Sequence, residues 1–500
     1  MTELSAAVRP RVRRGAAVFG VSAGALFALL LLRNPAVFDR VVYERGDAAA
    51  NSILASDAKH FGLLVGNYSR FRFHHPGPAF LYVQAFGEWL FHDLLGAVPA
   101  PWNGQWLALL ALNSVLLGLC LAITHSWTAS WRATTLCGAA ALLYFAAKPP
   151  MLPSAWMPDL YVAPFLLLLV AAASVAAGRV AHLPALALAV GLLVHGHVSF
   201  LLFGPVVAGA AVAVSLRTAR PEWRAARGAV AGAGAVLALF ALPMALHLLL
   251  HWPGELSGYL HYGGARGTPH PAGVARYVLA YYATGTALGA AAFVAYFGGA
   301  ALLVRRLPPG PPRRFLAAAV CAAALATVLF LGYVVRGVDD LRLTYVGQFT
   351  RAVPLVLLLV IVAAAASAPA ARRAHPWLVV AVLIGALGVA TGAPALAKGP
   401  EHAPGMPAAM AELRRYAGGE PVVLEVAQDA WPALTALVVQ GERTGPRVCA
   451  RDPRWEFMLT ERHICTPDDL ARGRRAHLTV VAPPGATVIA PVDNSLLVAL

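Results

Sequence analysis

The chain is 500 residues long, 59% hydrophobic and only 13% charged, with a mean hydropathy of +0.65. Soluble globular chains carry about 25% charged residues and their single cores stop growing near ~250–300 residues, so this composition excludes a soluble protein and points to repeated membrane spans. The net charge of +15 does not indicate nucleic acid: residues 1–397 hold 28 Lys/Arg against 12 Asp/Glu, residues 398–500 hold 11 against 12, and no aromatic-interleaved basic face accompanies the excess.

Half of those 28 cations lie in four short clusters beside apolar runs. These are Arg9, Arg11, Arg13 and Arg14; Arg217, Arg220, Arg224 and Arg227; Arg305, Arg306, Arg313 and Arg314; and the pair Arg372–Arg373. The positive-inside rule assigns all four to the cytoplasm. Hydropathy predicts spans near 16–32, 79–95, 104–124, 133–147, 160–177, 183–198 and 199–216, then 228–250, 275–304, 315–335, 351–368 and 377–397. The first is expected to remain as a helix, because Arg33-Asn34-Pro35 follows it in place of a small-residue cleavage site. The later half alternates: out at 251–274, in at 305–314, out at 336–350, in at Arg372–Arg373, out after 397. The earlier half does not close, since seven candidates separate two cytoplasmic Arg clusters and only an even number can. One of them is re-entrant, flat or broken; the segments expected are 79–95, with Glu88, His92 and Asp93, and 183–216, interrupted by His195-Gly196-His197.

At about 398 the character changes. A Pro/Gly linker runs to Pro407, Val422–Val426 reads as a strand, Ala430 to Val439 has helical spacing, and His477 to Val481 reads as a second strand. The expected fold is an all-α polytopic membrane domain, residues 1–397 with a first outer loop at 33–78, followed by a small extracytoplasmic α/β domain, residues 398–500. Cys449 and Cys465 lie in that tail, and two cysteines in an exported domain fit a disulfide, with two free thiols as the alternative.

Four of the 12 carboxylates before 398 fall in the loop 33–78: Asp39, Glu44, Asp47 and Asp57. The loop continues Asp57-Ala58-Lys59-His60 and ends Gly66-Asn67-Tyr68-Ser69-Arg70-Phe71-Arg72-Phe73-His74-His75-Pro76-Gly77-Pro78. A spacer needs no such mixture of carboxylates, histidines, arginines and aromatics, although a solvated outer loop is the plain alternative. Elsewhere, Asp159 opens a span in Trp156-Met157-Pro158-Asp159 and is the only carboxylate between 94 and 221; boundary carboxylates in membrane proteins are functional by default. No Walker-type loop, His-Glu-x-x-His, paired-cysteine metal spacing or Gly-x-Ser-x-Gly elbow occurs.

A first membrane helix, then a long outer loop with an early Asp and a closing Tyr-Ser-Arg-Phe…His-Pro-Gly-Pro, resembles the polytopic GT-C glycosyltransferases of bacteria. That superfamily includes protein mannosyltransferases, aminoarabinose transferases acting on lipid A and actinobacterial arabinosyltransferases; the Ala- and Arg-rich composition also looks like that of a high-GC actinobacterium. The motif match spans residues 44–78, the layout the whole chain. The resemblance implies an inverting transferase that moves a sugar from a polyprenyl-phosphate donor to an outer acceptor, a cell-envelope glycan or lipid. It makes Asp47 the general base, and Asp57, in the same loop, is a second catalytic carboxylate. Lys59, Arg70, Arg72, His74, His75 and His197 are candidates for the donor phosphate. Glu44, Tyr68, Asp159, Tyr262 and Arg266 are candidates for substrate binding. A divalent cation (Mg, Mn or Ca) held by Asp47 and His75 is the one cofactor this chemistry can call on. Relatives with this loop show Trp-Asn-Pro where this chain has Met157, which moves attention to Asp159. The alternative is a transporter or flippase of lipid-linked sugar. A carrier should show paired ionisable residues near the midplane of several spans, whereas here the carboxylates concentrate in the first loop.

Overall fold

The computed structural model describes residues 2–147, 151–262, 269–367, 386 and 402–500. The chain forms two compact units: Met1–Arg33 with Leu110–Pro394, and Asn34–Leu109 with Ala395–Leu500. The loop after the first helix and the segment up to Leu109 group with the tail.

Among the described residues eight helices are long and apolar enough to cross a membrane. They are Gly15–Arg33, Pro101–Thr128, Met157–Ala176, Phe200–Thr218, Arg227–Leu250, Thr286–Arg306, Pro311–Gly337 and Thr344–Ser367; Val180–Gly196 is a shorter apolar helix. In the first unit the Val162–Ala176 helix is the centre, buried along nearly its whole length. Phe165, Phe200 and Phe203 converge on Phe349 with ring centroids 4.9, 4.9 and 5.0 Å away. This aromatic cluster anchors the eight-residue 3-10 helix Thr344–Arg351. Gly347 makes the anchoring possible, because a Cβ there would lie 2.4 Å from the Tyr281 hydroxyl and 2.6 Å from the Phe330 ring.

Two spans differ from expectation. The run 275–304 is broken into Pro271–Leu279 and Thr286–Arg306, with Gly285 at φ 84° entering the second helix and Tyr277 and Tyr281 donating to the carbonyls of Leu343 and Thr344 at 2.9 and 2.6 Å. The segment 79–95 belongs to the second unit and is not a long apolar helix. It is Ala79–Gly87 continued by a wider π-type turn, Glu88–Leu94, and its polar residues Gln84 and Glu88 are buried by protein. Without it, six of the seven expected segments remain: four are among the long apolar helices, Val180–Gly196 is shorter, and the segment at 133–147 is the 16-residue helix Trp131–Ala146. The other suspect, 183–216, is two helices, Leu183–Gly196 and Phe200–Thr218, joined by a short turn. The expected span 377–397 and the Arg372–Arg373 pair lie outside the described residues.

In the second unit the tail folds into a five-stranded sheet: β1 (Val422–Val426), β2 (Val448–Ala450), β3 (Arg474–Thr479), β4 (Val488–Val492) and β5 (Ser495–Ala499), in the order β2-β1-β3-β5-β4. β1 pairs in parallel with β2 and β3, whereas β5 is antiparallel to β3 and β4. The Trp431–Thr444 helix crosses from β1 to β2, which parallel pairing requires. A disulfide joins Cys449 on β2 to Cys465. The loop supplies part of this core: Ala49, Ala50 and Ile53, on one face of the Gly46–Lys59 helix, are fully buried with Leu434, Leu437 and Met410.

Candidate functional site

Asp47 sits in the first turn of the Gly46–Lys59 helix, where the helix dipole favours an anion. The helix starts at Gly46, whose φ of +55° favours glycine, with Trp431 and Pro432 packed over it. The Tyr68 hydroxyl donates to the Asp47 carboxylate. Tyr68 is itself wedged edge-on between the rings of Trp431 and Phe457, at 6.5 and 5.7 Å. It lies on one arm of a hairpin: Gly66 N–H bonds His75 O, His75 N–H bonds Asn67 O, and Ser69 N–H bonds Phe73 O, at 2.7–2.9 Å. Arg70, Phe71 and Arg72 form its exposed tip. The Arg70 guanidinium stacks 4.6 Å over Phe71, and Arg72 adopts φ 63°. His74 faces Tyr68 across the hairpin, and His75, only 4% exposed, turns its ring edge to Phe73.

Glu44, Asp57 and Lys59 have protein partners. Glu44, with no exposed surface, pairs with Arg443 at 2.7 Å and accepts from Gln440 at 3.4 Å. Burial disfavours the Arg443 charge, but Glu44 outweighs it and holds the guanidinium pKa above its ordinary value. Asp57 meets Arg462 at 3.1 Å, and Arg462 also holds Glu442 at 2.9 Å, to which Ser56 donates. Burial pushes the Asp57 carboxyl up, against the pull of Arg462 and His463. Lys59 bridges Glu88 and Asp93 at 2.8 and 2.6 Å. Burial works against its ammonium, yet the hydrogen bonds and charges of Asp93 and Glu88 together hold its pKa above the usual lysine value. Glu88 also accepts from Gln105, which accepts from Ser52, so a buried polar chain ties this helix to its neighbours. Thus Glu44, Asp57 and Lys59, expected at substrate, acid–base chemistry and phosphate, all meet protein groups of opposite charge.

In the first unit Asp159 accepts from Gln348 at 2.8 Å, and Gln348 accepts from Arg351 at 2.9 Å. The Trp156 and Tyr345 rings lie 5.6 Å apart beside this pair. His197 lies in the turn after the Leu183–Gly196 helix, with Nδ1 2.9 Å from Ser199 Oγ, while the Tyr161 hydroxyl donates to Gly196 O at 2.5 Å. His195 Nε2 is 2.6 Å from Phe240 O. Arg266 and the Tyr262 side chain lie outside the described residues. Gln348 and Arg351 escaped the sequence reading, although an arginine at the start of an apolar helix, where the dipole disfavours a cation, is a signal. Among the described residues no three His, Cys, Asp or Glu side chains gather where they could share a metal ion.

No family model and no curated protein matches the chain. Among solved structures, the crystal structure of ArnT from Cupriavidus metallidurans bound to undecaprenyl phosphate matches with a TM-score of 0.54 at 14% identity, over 99% of this chain and 98% of that one. Identity this low speaks to the fold alone, and on that ground the chain is a helical, ArnT-like membrane fold carrying a small sheet domain at its C-terminal end.

Proposed function

We propose that the chain is a membrane glycosyltransferase of the GT-C kind that moves a sugar, with inversion, from a polyprenyl-phosphate donor to an outer acceptor hydroxyl on a cell-envelope glycan or lipid. The observation that carries the reading is Asp47, set at a helix N-terminus with the Tyr68 hydroxyl on its carboxylate, in a chain whose fold matches ArnT. Asp47 takes the acceptor O–H proton as the oxygen attacks the anomeric carbon; the carbon–phosphate oxygen bond breaks and the lipid phosphate leaves. Tyr68 is a positioning residue that orients the base. Arg70 and Arg72 at the hairpin tip are the cations assigned to the leaving phosphate. Asp159, held by Gln348, is the substrate-binding carboxylate of the first unit. We assign Glu44 and Asp57 to holding the loop on the tail. The Arg clusters support placing both the loop and the tail outside the cell.

General-base catalysis contributes typically 10²–10⁴-fold, so Asp47→Asn should cut transfer from a purified polyprenyl-phosphate sugar by at least roughly 100-fold while membrane insertion and monodispersity persist. Tyr68→Phe should lower kcat and leave KM nearly unchanged. Full transfer by Asp47→Asn would refute the assignment. Movement of the lipid-linked sugar across vesicles without its consumption would favour the transporter reading instead.

A further inference from the structure

At one end of the first unit the Met157–Ala176, Phe200–Thr218 and Pro311–Gly337 helices leave a cavity of about 880 Å³ between them. Its walls are largely alanine, among them Ala173, Ala211 and Ala318, and its rim carries Arg179, Arg314 and Glu222. Arg179 is fixed in place: its guanidinium lies 4.1 Å over the Trp127 ring, which stacks flat on Phe315 at 5.5 Å and donates Nε1–H to Ser174 at 2.7 Å. Arg314 is exposed and belongs to the Arg305–Arg314 cluster, and Glu222 stands beside Arg220 and Arg224. None of the residues lining the cavity is among those assigned to the chemistry above, so nothing in the transferase reading uses it.

We propose that this cavity is a binding site for an anionic phospholipid of the cytoplasmic leaflet, with the phosphate at Arg179 and Arg314 and one acyl chain along the alanine walls. Three considerations select that occupant. Walls of alanine offer a soluble anion or nucleotide nothing to hydrogen-bond below the rim, but suit a hydrocarbon chain. An apolar void of this size between membrane helices forfeits dispersion contacts unless a chain fills it, and the volume lies within the usual range for ligand sites. Basic pockets between helices at the cytoplasmic face are the arrangement that captures acidic headgroups, and each arginine there contributes an attraction equivalent to about fivefold in affinity. The two rim arginines together give on the order of 25-fold, reduced by the opposing Glu222.

Cys321 lines the cavity and supplies the reporter, since Cys120 and Cys137 are buried and Cys449 and Cys465 are disulfide-bonded. The full chain in neutral detergent is labelled with a maleimide while phosphatidylglycerol, phosphatidylcholine or inorganic phosphate is added. Phosphatidylglycerol should protect Cys321 at about 5- to 25-fold lower concentration than phosphatidylcholine, and inorganic phosphate should not protect. Arg314→Gln should cut that preference about fivefold, Arg179→Gln/Arg314→Gln should abolish it, and Glu222→Gln should raise it. Because Arg179 also packs on Trp127, the single Arg314→Gln variant decides the matter if the double variant misfolds. Equal protection by both lipids, a preference that survives Arg314→Gln unchanged, or protection by phosphate alone would overturn the proposal. Detergent makes the assay independent of which way the cavity faces.

Discussion

Glu44→Gln tests how the loop is held to the tail. Glu44 has no exposed surface and Arg443 keeps about a fifth of its side chain accessible, at 20%. Removing one member of a buried pair leaves the other charge uncompensated and costs about 3–5 kcal/mol. The residual water access of Arg443 sets the expectation near the lower figure, about 3 kcal/mol. The global unfolding of a membrane protein with two units is not two-state, so the measurement should be local. Hydrogen exchange of the amides in Gly46–Lys59, in the full chain, should accelerate roughly 100-fold if opening becomes easier by that amount. Adding Arg443→Met removes the stranded cation, and the double variant should recover most of the protection. Exchange within threefold of wild type in Glu44→Gln would show that the pair is not what secures the helix, and would return Glu44 to the list of residues free to meet substrate.

Two further outcomes are expected. Asp469 accepts a bidentate pair of bonds from Arg447, at 3.0 and 2.9 Å, which with the Thr466 bonds pulls its pKa down to about 2. A carboxylate depressed in the folded state stabilises it above the unfolded pKa near ~4 and loses that contribution as pH falls through ~2. Acid unfolding of the tail, followed by tryptophan fluorescence, should therefore set in below about pH 4 and lose about 2 kcal/mol from this group; Asp469→Asn should be destabilised at neutral pH and flatter below it. Glu442, also held low, adds in the same direction, whereas Asp57, pushed up, opposes it. Separately, Gly87 and Gly104 approach so closely that a Cβ on Gly87 would sit 2.4 Å from the Gly104 carbonyl oxygen. Gly87→Val should cost about 3 kcal/mol or more through backbone displacement, read as aggregated material on size exclusion, while a near-wild-type profile would deny the close crossing.

Hydropathy located the long spans because lipid-facing and core-facing residues of a bundle are equally apolar, and it placed β1 and the helix after it. It overreached at 79–95, where Phe86, Trp89, Leu94 and Leu95 look like span residues but Gln84 and Glu88 are buried by protein partners. β2 was missed because it has only three residues, and β4 and β5 because they are joined at Asp493, a residue at φ 57° that does not announce a turn as glycine would. Asp47 was singled out through the loop's resemblance. What surrounds it was not: the partners of Glu44 and Asp57 are Arg443 and Arg462, 399 and 405 residues further along. The concentration of carboxylates reads as chemistry or as a solvated loop, and two of the four, Glu44 and Asp57, pair with arginines of the tail. Local pattern reports what a residue can do, and only tertiary pairing decides which of those things is already taken up.

The burial of Ala49, Ala50 and Ile53 in the core of the tail has a consequence for biosynthesis. During translation at roughly 5–20 residues per second, the Gly46–Lys59 helix is made on the order of 20–70 s before the strands against which it closes. It must wait through the synthesis of the whole first unit with an apolar face and several charges uncovered. Completion of the Asp47-bearing loop is therefore among the last events in the life of the nascent chain, and a ribosome that stops short of the tail leaves a protein with its spans made and its Asp47 helix unsupported.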